Sequence, residues 1–281
     1  MSKVAAIQMA SGPNVSANLS EAGRLIQDAV KQGAELVVLP ENFAHMGMSE
    51  QDTLKVAEPP LDTIHSGDMT RVQSFLSNTA REHSIWLVGG TTALVSDTPG
   101  KVRSACLLFN DQGEQVARYD KIHLFDIDFG EKGGAYNESS FTEAGDQVVV
   151  VDTPFGKLGL AICYDLRFPE LFREMTSEGM EILALASSFT ATTGKAHWEV
   201  LNRARAIENL CFVVSSAQGG YHVNGRETYG HSMIIDPWGG VMDSLPRGSG
   251  FAICDIEPDK LRQIRKSFPV LEHIRLPCHL T

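Results

Sequence analysis

The chain has 281 residues, with 24 Lys plus Arg against 35 Asp plus Glu, a formal charge of −11. That acidic balance excludes a phosphate-backbone partner, which needs a basic face, and argues equally against a membrane-surface role, so neither nucleic acid nor membrane is expected as a partner. Hydrophobic residues at 43% and charged residues at 21% exclude fibrous and disordered classes, and a chain of this length buries roughly three quarters of its unfolded surface without needing a disulfide or metal staple.

One domain spanning 1–281 is expected, with a core over about 4–269 and an irregular tail over 270–281. Cys106, Cys163, Cys211, Cys254 and Cys278 are odd in number and never at C-x-x-C spacing, which reads as free thiols in a reducing compartment. The first residues lack a signal-peptide core and no run of about 18 apolar residues occurs, so a cytoplasmic protein is expected.

In chain order, Val4 to Met9 is a short apolar run suited to a buried strand. Leu19, Ala22, Leu25, Ile26, Ala29 and Val30 then recur at helical spacing before Gly33, and Leu36 to Leu39 is a second buried run. Strand, helix, strand is the signature of an α/β layer architecture. A helical stretch from Thr70 to His83 leads into Ile85 to Val88. Arg103 to Asn110 and Glu114 to Tyr119 form a hairpin across Asp111-Gln112-Gly113, and Val148 to Asp152 and Lys157 to Ile162 form another across Pro154-Phe155-Gly156. Arg167 to Ser177 leads into Ile182 to Ala186, and His197 to Asn209 into Cys211 to Ser215. A last strand pair, Ser232 to Asp236 with Phe251 to Asp255, flanks Pro237-Trp238-Gly239-Gly240. Strands outnumber helices and mixed sheets are expected. The tail from Phe268 either frays or reaches onto a partner subunit.

Several common chemistries are unsignalled. Gly248-Ser249-Gly250 lacks a third glycine and a following helix, and neither a P-loop nor a G-x-S-x-G elbow occurs. The nine histidines include no H-E-x-x-H and none clusters with cysteine at ligand spacing, so no metal and no cofactor is expected.

What remains are polar residues at the ends of buried runs, where open α/β sheets place ligands. Cys163 follows Leu158 to Ile162 and precedes a helix. A strand-to-helix turn there favours a thiolate and offers backbone oxyanion donors, although a free cysteine is more often simply packed. Glu41 closes Leu36 to Pro40 and reads either as a general base or as a cap on the next segment. Lys121 ends the run from Val116 to Asp120 and reads either as a cation that lowers a thiol pKa and stabilises an oxyanion, or as a solvated charge. Local reasoning does not bring the three together.

Leu39-Pro40-Glu41-Asn42, Tyr119-Asp120-Lys121-Ile122-His123-Leu124-Phe125-Asp126 and Gly159-Leu160-Ala161-Ile162-Cys163-Tyr164-Asp165-Leu166-Arg167-Phe168-Pro169-Glu170 together resemble the nitrilase superfamily of carbon–nitrogen hydrolases. The resemblance runs from Val4 to about Pro269. It implies an α-β-β-α four-layer sandwich, packed as a homodimer or higher homo-oligomer. It also implies a catalytic set in which Glu41 is the general base, Lys121 the cation at the tetrahedral intermediate and Cys163 the nucleophile. A second glutamate is implied between Lys and Cys. Glu138 matches best, with Glu131 and Glu143 as alternatives.

Thr193 to Asn209 resembles the branch of deaminated-glutathione amidases and ω-amidases, and Ala217 to His222 with Tyr229 to Gly239 is closer to the former. The resemblance therefore implies a small-molecule amide substrate, deaminated glutathione first and 2-oxoglutaramate second. A nitrile hydrolase and a dimeric interaction module that has lost catalysis are the remaining alternatives. Tyr164 is expected to supply an oxyanion N–H and His123 to reach the pocket, facing the same side of a strand as Lys121. Arg203, Arg205, Arg226 and Lys195 read either as partners of the substrate carboxylates or as structural residues, and Arg203 and Arg205 would serve a dimer contact equally well.

Overall fold

The computed structural model describes residues 1–63, 70–128, 130 and 135–276. Its elements in order are β1 (Ser2–Met9), α1 (Val15–Lys31), β2 (Leu36–Val38), α2 (Arg71–His83), β3 (Trp86–Val88), β4 (Thr92–Val95), β5 (Val102–Phe109), β6 (Gln115–Asp120), β7 (Asp126–Asp128), β8 (Ala135–Asn137), β9 (Val150–Thr153), β10 (Gly156–Ile162), α3 (Pro169–Ser177), β11 (Ile182–Ser187), α4 (Ala191–Asn209), β12 (Phe212–Tyr221), β13 (Glu227–Tyr229), β14 (Ser232–Ile235), β15 (Val241–Leu245), β16 (Gly250–Ile256) and α5 (Pro258–Ser267).

Alternation along β1 shows how the layers form. Val4 and Ala6 point into one core with Leu36, Val38 and Leu108, whereas Ala5, Ile7 and Met9 point into a second with Leu25 and Ile26 of α1 and Leu76 of α2. A strand buried on both faces lies between two apolar layers. The first core also takes Leu158, Leu160 and Leu183 from the other sheet, then Phe172 of α3 and Trp198 of α4. The order of layers is therefore helices α1 and α2, a sheet around β1 to β3 and β5, a facing sheet around β10 to β12, and helices α3 and α4. This is the expected four-layer sandwich with mixed sheets. Among the described residues, the two sheets join where β1 and β12 pair in parallel at Gln8 with Ala217 and Met9 with Gln218.

Local chemistry explains the boundaries. Asn14 caps α1, its Oδ1 accepting from the Ala17 N–H at 3.2 Å. Pro169 opens α3 at a position where its missing N–H costs nothing. The hairpin of β5 and β6 closes as expected at Asn110 to Gly113, with the Gly113 N–H donating to the Asn110 carbonyl at 2.9 Å.

Three expectations need correction. The strand pair Ser232 to Asp236 with Phe251 to Asp255 does not form. An unforeseen strand, β15, pairs with β14, and β16 instead runs antiparallel along β1 from Ser2 with Ile256 to Gln8 with Gly250. Helix α4 begins at Ala191 rather than His197, capped by Thr190, whose hydroxyl accepts from the Thr193 N–H at 3.4 Å. The polar segment 191–196 hid that start because it lacks an apolar stripe. Helix α5 was also unforeseen, since among its residues only Leu261 is buried. Cys278 and the end of the tail lie outside the described residues, where the last element is a 3-10 turn at Val270–His273.

Candidate active site

Strand ends from both sheets converge on one cleft of about 370 Å³. Glu41 lies three residues past β2, its backbone held on both sides. The Gln218 amide donates to the Glu41 carbonyl at 3.0 Å, and the next N–H, of Asn42, donates to Thr91 Oγ1 at 2.8 Å. Gly90 packs so tightly beneath this turn that a Cβ there would meet the Pro40 carbonyl oxygen at 2.2 Å, and its φ of +56° is in the left-handed region. Lys121 continues β6, its N–H bonded to the Ser104 carbonyl at 3.0 Å and its carbonyl accepting from the Gly145 N–H at 2.8 Å. Cys163 follows β10 directly and opens a 3-10 turn through Arg167, with a φ of +46° that non-glycine residues rarely adopt.

Folding brings the three positions together, and Glu138 with them. Lys121 Nζ lies 2.9 Å from Glu41 Oε1 and 2.9 Å from each carboxylate oxygen of Glu138. Glu138 also accepts from the Phe125 N–H at 2.7 Å. The Ser188 N–H, at the end of β11, points at Cys163 Sγ from 3.5 Å. Of the alternative glutamates, Glu143 pairs with Arg103 at 2.7 Å, away from Lys121, and Glu131 lies outside the described residues.

Two carboxylates around one ammonium set the electrostatics. Burial works against the Lys121 charge, but Glu138 and Glu41 outweigh it, so the ammonium pKa stands well above its usual value. Burial raises the Glu138 carboxyl pKa, with Lys121 opposing. The Cys163 thiol is pushed well above its usual pKa, first by burial and then by Glu41, with Lys121 opposing. This reverses the thiolate expected from the turn: burial and the Glu41 carboxylate outweigh the pull of the Lys121 charge. The site therefore holds a neutral thiol beside a carboxylate able to take its proton.

Asp165, which sequence reasoning passed over, organises the nucleophile turn. Its fully buried carboxylate accepts from Tyr119 OH at 2.7 Å, the Ile162 N–H at 2.9 Å and the His123 N–H at 3.1 Å, and binds His123 Nδ1 at 2.7 Å. Its one sequence signal was a carboxylate two residues after Cys163.

The other expected contacts divide. Tyr164 lines the cleft, its ring against Phe125 at 5.0 Å. His123 does not: its ring stacks on Phe168 at 3.7 Å and its Nδ1 is engaged by Asp165, because Lys121 ends the strand and the chain has turned by His123. Arg203 is also outside, its Nε donating to the Gly239 carbonyl at 2.8 Å on the outer side of α4. Lys195 is exposed near the start of α4, away from the cleft lining. Arg205 is buried and spends its donors on the Leu166 carbonyl and Glu208. Arg226 lines the cleft, and so does Arg167, which sequence reasoning had not singled out as a cation. Arg167 lies over the Tyr164 and Phe189 rings and bonds His197 Nδ1 at 3.1 Å. Among the described residues, no three His, Cys, Asp or Glu side chains gather to hold a metal.

The family model described as carbon-nitrogen hydrolase matches residues 3–266. A deaminated glutathione amidase of Synechocystis is 44% identical over 272 residues, covering 96% of both chains, and one of Rattus norvegicus is 42% identical over 276 residues, covering 97% of this chain and 82% of its own. The crystal structure of the C. elegans NitFhit protein is 36% identical, with a TM-score of 0.88, and is aligned over 100% of this chain and 67% of its own. With the family model spanning nearly the whole described fold and relatives this similar, the chain belongs to the carbon-nitrogen hydrolase family, within the nitrilase superfamily.

Proposed function

We propose that the protein is an amidase that hydrolyses deaminated glutathione, glutathione whose glutamyl amino group has become a keto group, to 2-oxoglutarate and cysteinylglycine. The observation that carries this reading is the Lys121 ammonium locked between Glu41 and Glu138 beside a protonated Cys163. Glu41 takes the thiol proton as Sγ attacks the amide carbon. The oxyanion is held by Lys121 and the Tyr164 backbone N–H. Collapse of the tetrahedral intermediate breaks the C–N bond, and the amine departs with the proton from Glu41. Water, deprotonated by the same Glu41, then splits the thioester and frees the acid and the thiol. Glu138 holds Lys121 charged and in place. The names of the relatives support the choice of substrate, and Arg167 and Arg226 give the cleft cations to meet an anionic one.

Incubating the purified protein separately with deaminated glutathione and with 2-oxoglutaramate, and following 2-oxoglutarate release, tests this reading. Faster release from deaminated glutathione, lost in Cys163→Ala, is expected. Preference for 2-oxoglutaramate would make the protein an ω-amidase, and activity retained in Cys163→Ala would remove Cys163 from the mechanism.

We further infer one catalytic domain acting as a homodimer in the cytoplasm. The outer side of α4 leaves Val200 at 68% and Ile207 at 48% exposed beside the 64%-exposed Trp238, an apolar surface suited to a second copy. No described helix is long and apolar enough to cross a membrane, and the cysteines in the described residues are free thiols.

A further inference from the structure

Three arginines, Arg71, Arg167 and Arg226, line the cleft. Arg167 belongs to the Cys163 turn and leans toward α4 through Phe189, at 5.1 Å, and His197. Arg226, just before β13, lies over the Tyr136 ring at 5.6 Å, and Tyr136 is two residues from Glu138. Arg226 therefore stands beside the segment that carries Glu138, and its bond to the Ser188 carbonyl also brings it next to Phe189, the ring under Arg167.

The Arg226 side chain is held without being used up. One terminal nitrogen donates to the Ser188 carbonyl at 3.1 Å, and its backbone N–H is fixed by Asn224 Oδ1 at 3.0 Å. Its Nε is buried with no hydrogen-bond partner among the described residues, and the Ser188 hydroxyl next to it, on a residue 1% exposed, is also unpartnered. A buried guanidinium N–H without a partner is costly, and the planar fork of an arginine that lines a cleft suits a carboxylate.

We propose that Arg226 reads a carboxylate on the departing amine and so selects peptide-like amides over those that release ammonia. The inference rests on the substrate class proposed above. That substrate carries a carboxylate on its acyl half and another on its terminal glycine. Glu41 hands its proton to the amine, so the departing half lies toward the carboxylates, and Arg226 stands beside the segment that carries Glu138. The acyl half is left to Arg167.

The test compares kcat/KM for deaminated glutathione, for its glycine-amide derivative and for 2-oxoglutaramate in the wild type, Arg226→Lys and Arg226→Gln. Arg226→Gln is expected to lower the ratio of deaminated glutathione to 2-oxoglutaramate activity by about 10- to 100-fold, the size of one charge-assisted hydrogen bond. Arg226→Lys, which keeps the charge and loses the fork, falls between. The glycine-amide derivative should cost the wild type a similar factor and Arg226→Gln far less. Equal losses on all three substrates would overturn the assignment while leaving the amidase reading intact, as would a wild type indifferent to the glycine carboxylate. A wild type inert toward every one of them would overturn both.

Discussion

At the scale of single residues, Cys163 and Glu41 act on one another through charge. Burial and the Glu41 carboxylate both disfavour a thiolate, so Cys163 keeps its proton at neutral pH. A raised pKa means less thiolate at pH 7. The rate of iodoacetamide labelling at Cys163 should therefore climb past the usual thiol value of 9.0 without a plateau near neutrality. Glu41→Gln removes an anion and should move the labelling midpoint to lower pH, while hydrolysis falls by at least about 100-fold with the proposed general base gone. A midpoint that stays put or rises in Glu41→Gln would refute the charge argument. The residue types were legible in the sequence as Glu, Lys and Cys at the ends of buried runs, but the reversed thiol pKa was not. It depends on the burial of the Cys163 turn and on Glu41 lying beside it, which no local pattern displays.

At the scale of elements, Asp165 ties the end of β6 to the end of β10. It joins the Cys163 turn to Tyr119 and His123, which stand two residues either side of Lys121, and so fixes two catalytic strand ends with one buried carboxylate. Asp165→Asn replaces one acceptor oxygen with a donor nitrogen facing donors. A loss of about 1–3 kcal/mol in denaturant unfolding is expected for a buried group left mispaired, with a drop in kcat larger than any change in KM. Unchanged stability and kcat would show that the turn holds without it. The errors in reading elements have a similar cause. Val241 to Leu245 reads as an apolar-polar mixture and its strand is half exposed, so β15 left no buried run to find, whereas β16 was found but its partner was β1, some 240 residues away in the chain. A strand's existence is written in its own residues, and its partner is not.

At the scale of the whole molecule, the four layers leave the outer face of α4 uncovered. Val200 and Ile207 stand exposed there, and the Pro237 to Gly240 loop packs beside them through the bond from Arg203 to Gly239. Arg203, expected at the substrate, belongs to this outer face. The double variant Val200→Lys with Ile207→Lys should convert the proposed dimer to a monomer in size-exclusion chromatography with light scattering, because buried unpaired ammonium groups oppose association. A dimer of wild-type strength in that variant would place the interface elsewhere.

The sequence by itself determined the layer architecture, because apolar runs of strand length alternating with amphipathic helices have few ways to bury both faces of a sheet. It also determined the chemical types at the strand ends and, through three motifs in order, the family. Tertiary structure alone decided which residues meet. It chose Glu138 rather than Glu143 as the partner of Lys121, moved His123 onto Phe168, sent Arg203 and Lys195 outside, and put Arg167 and Arg226 in the cleft. The reason is physical: a side chain's type is local, but its burial, its charge partners and therefore its pKa are set by elements distant in the chain.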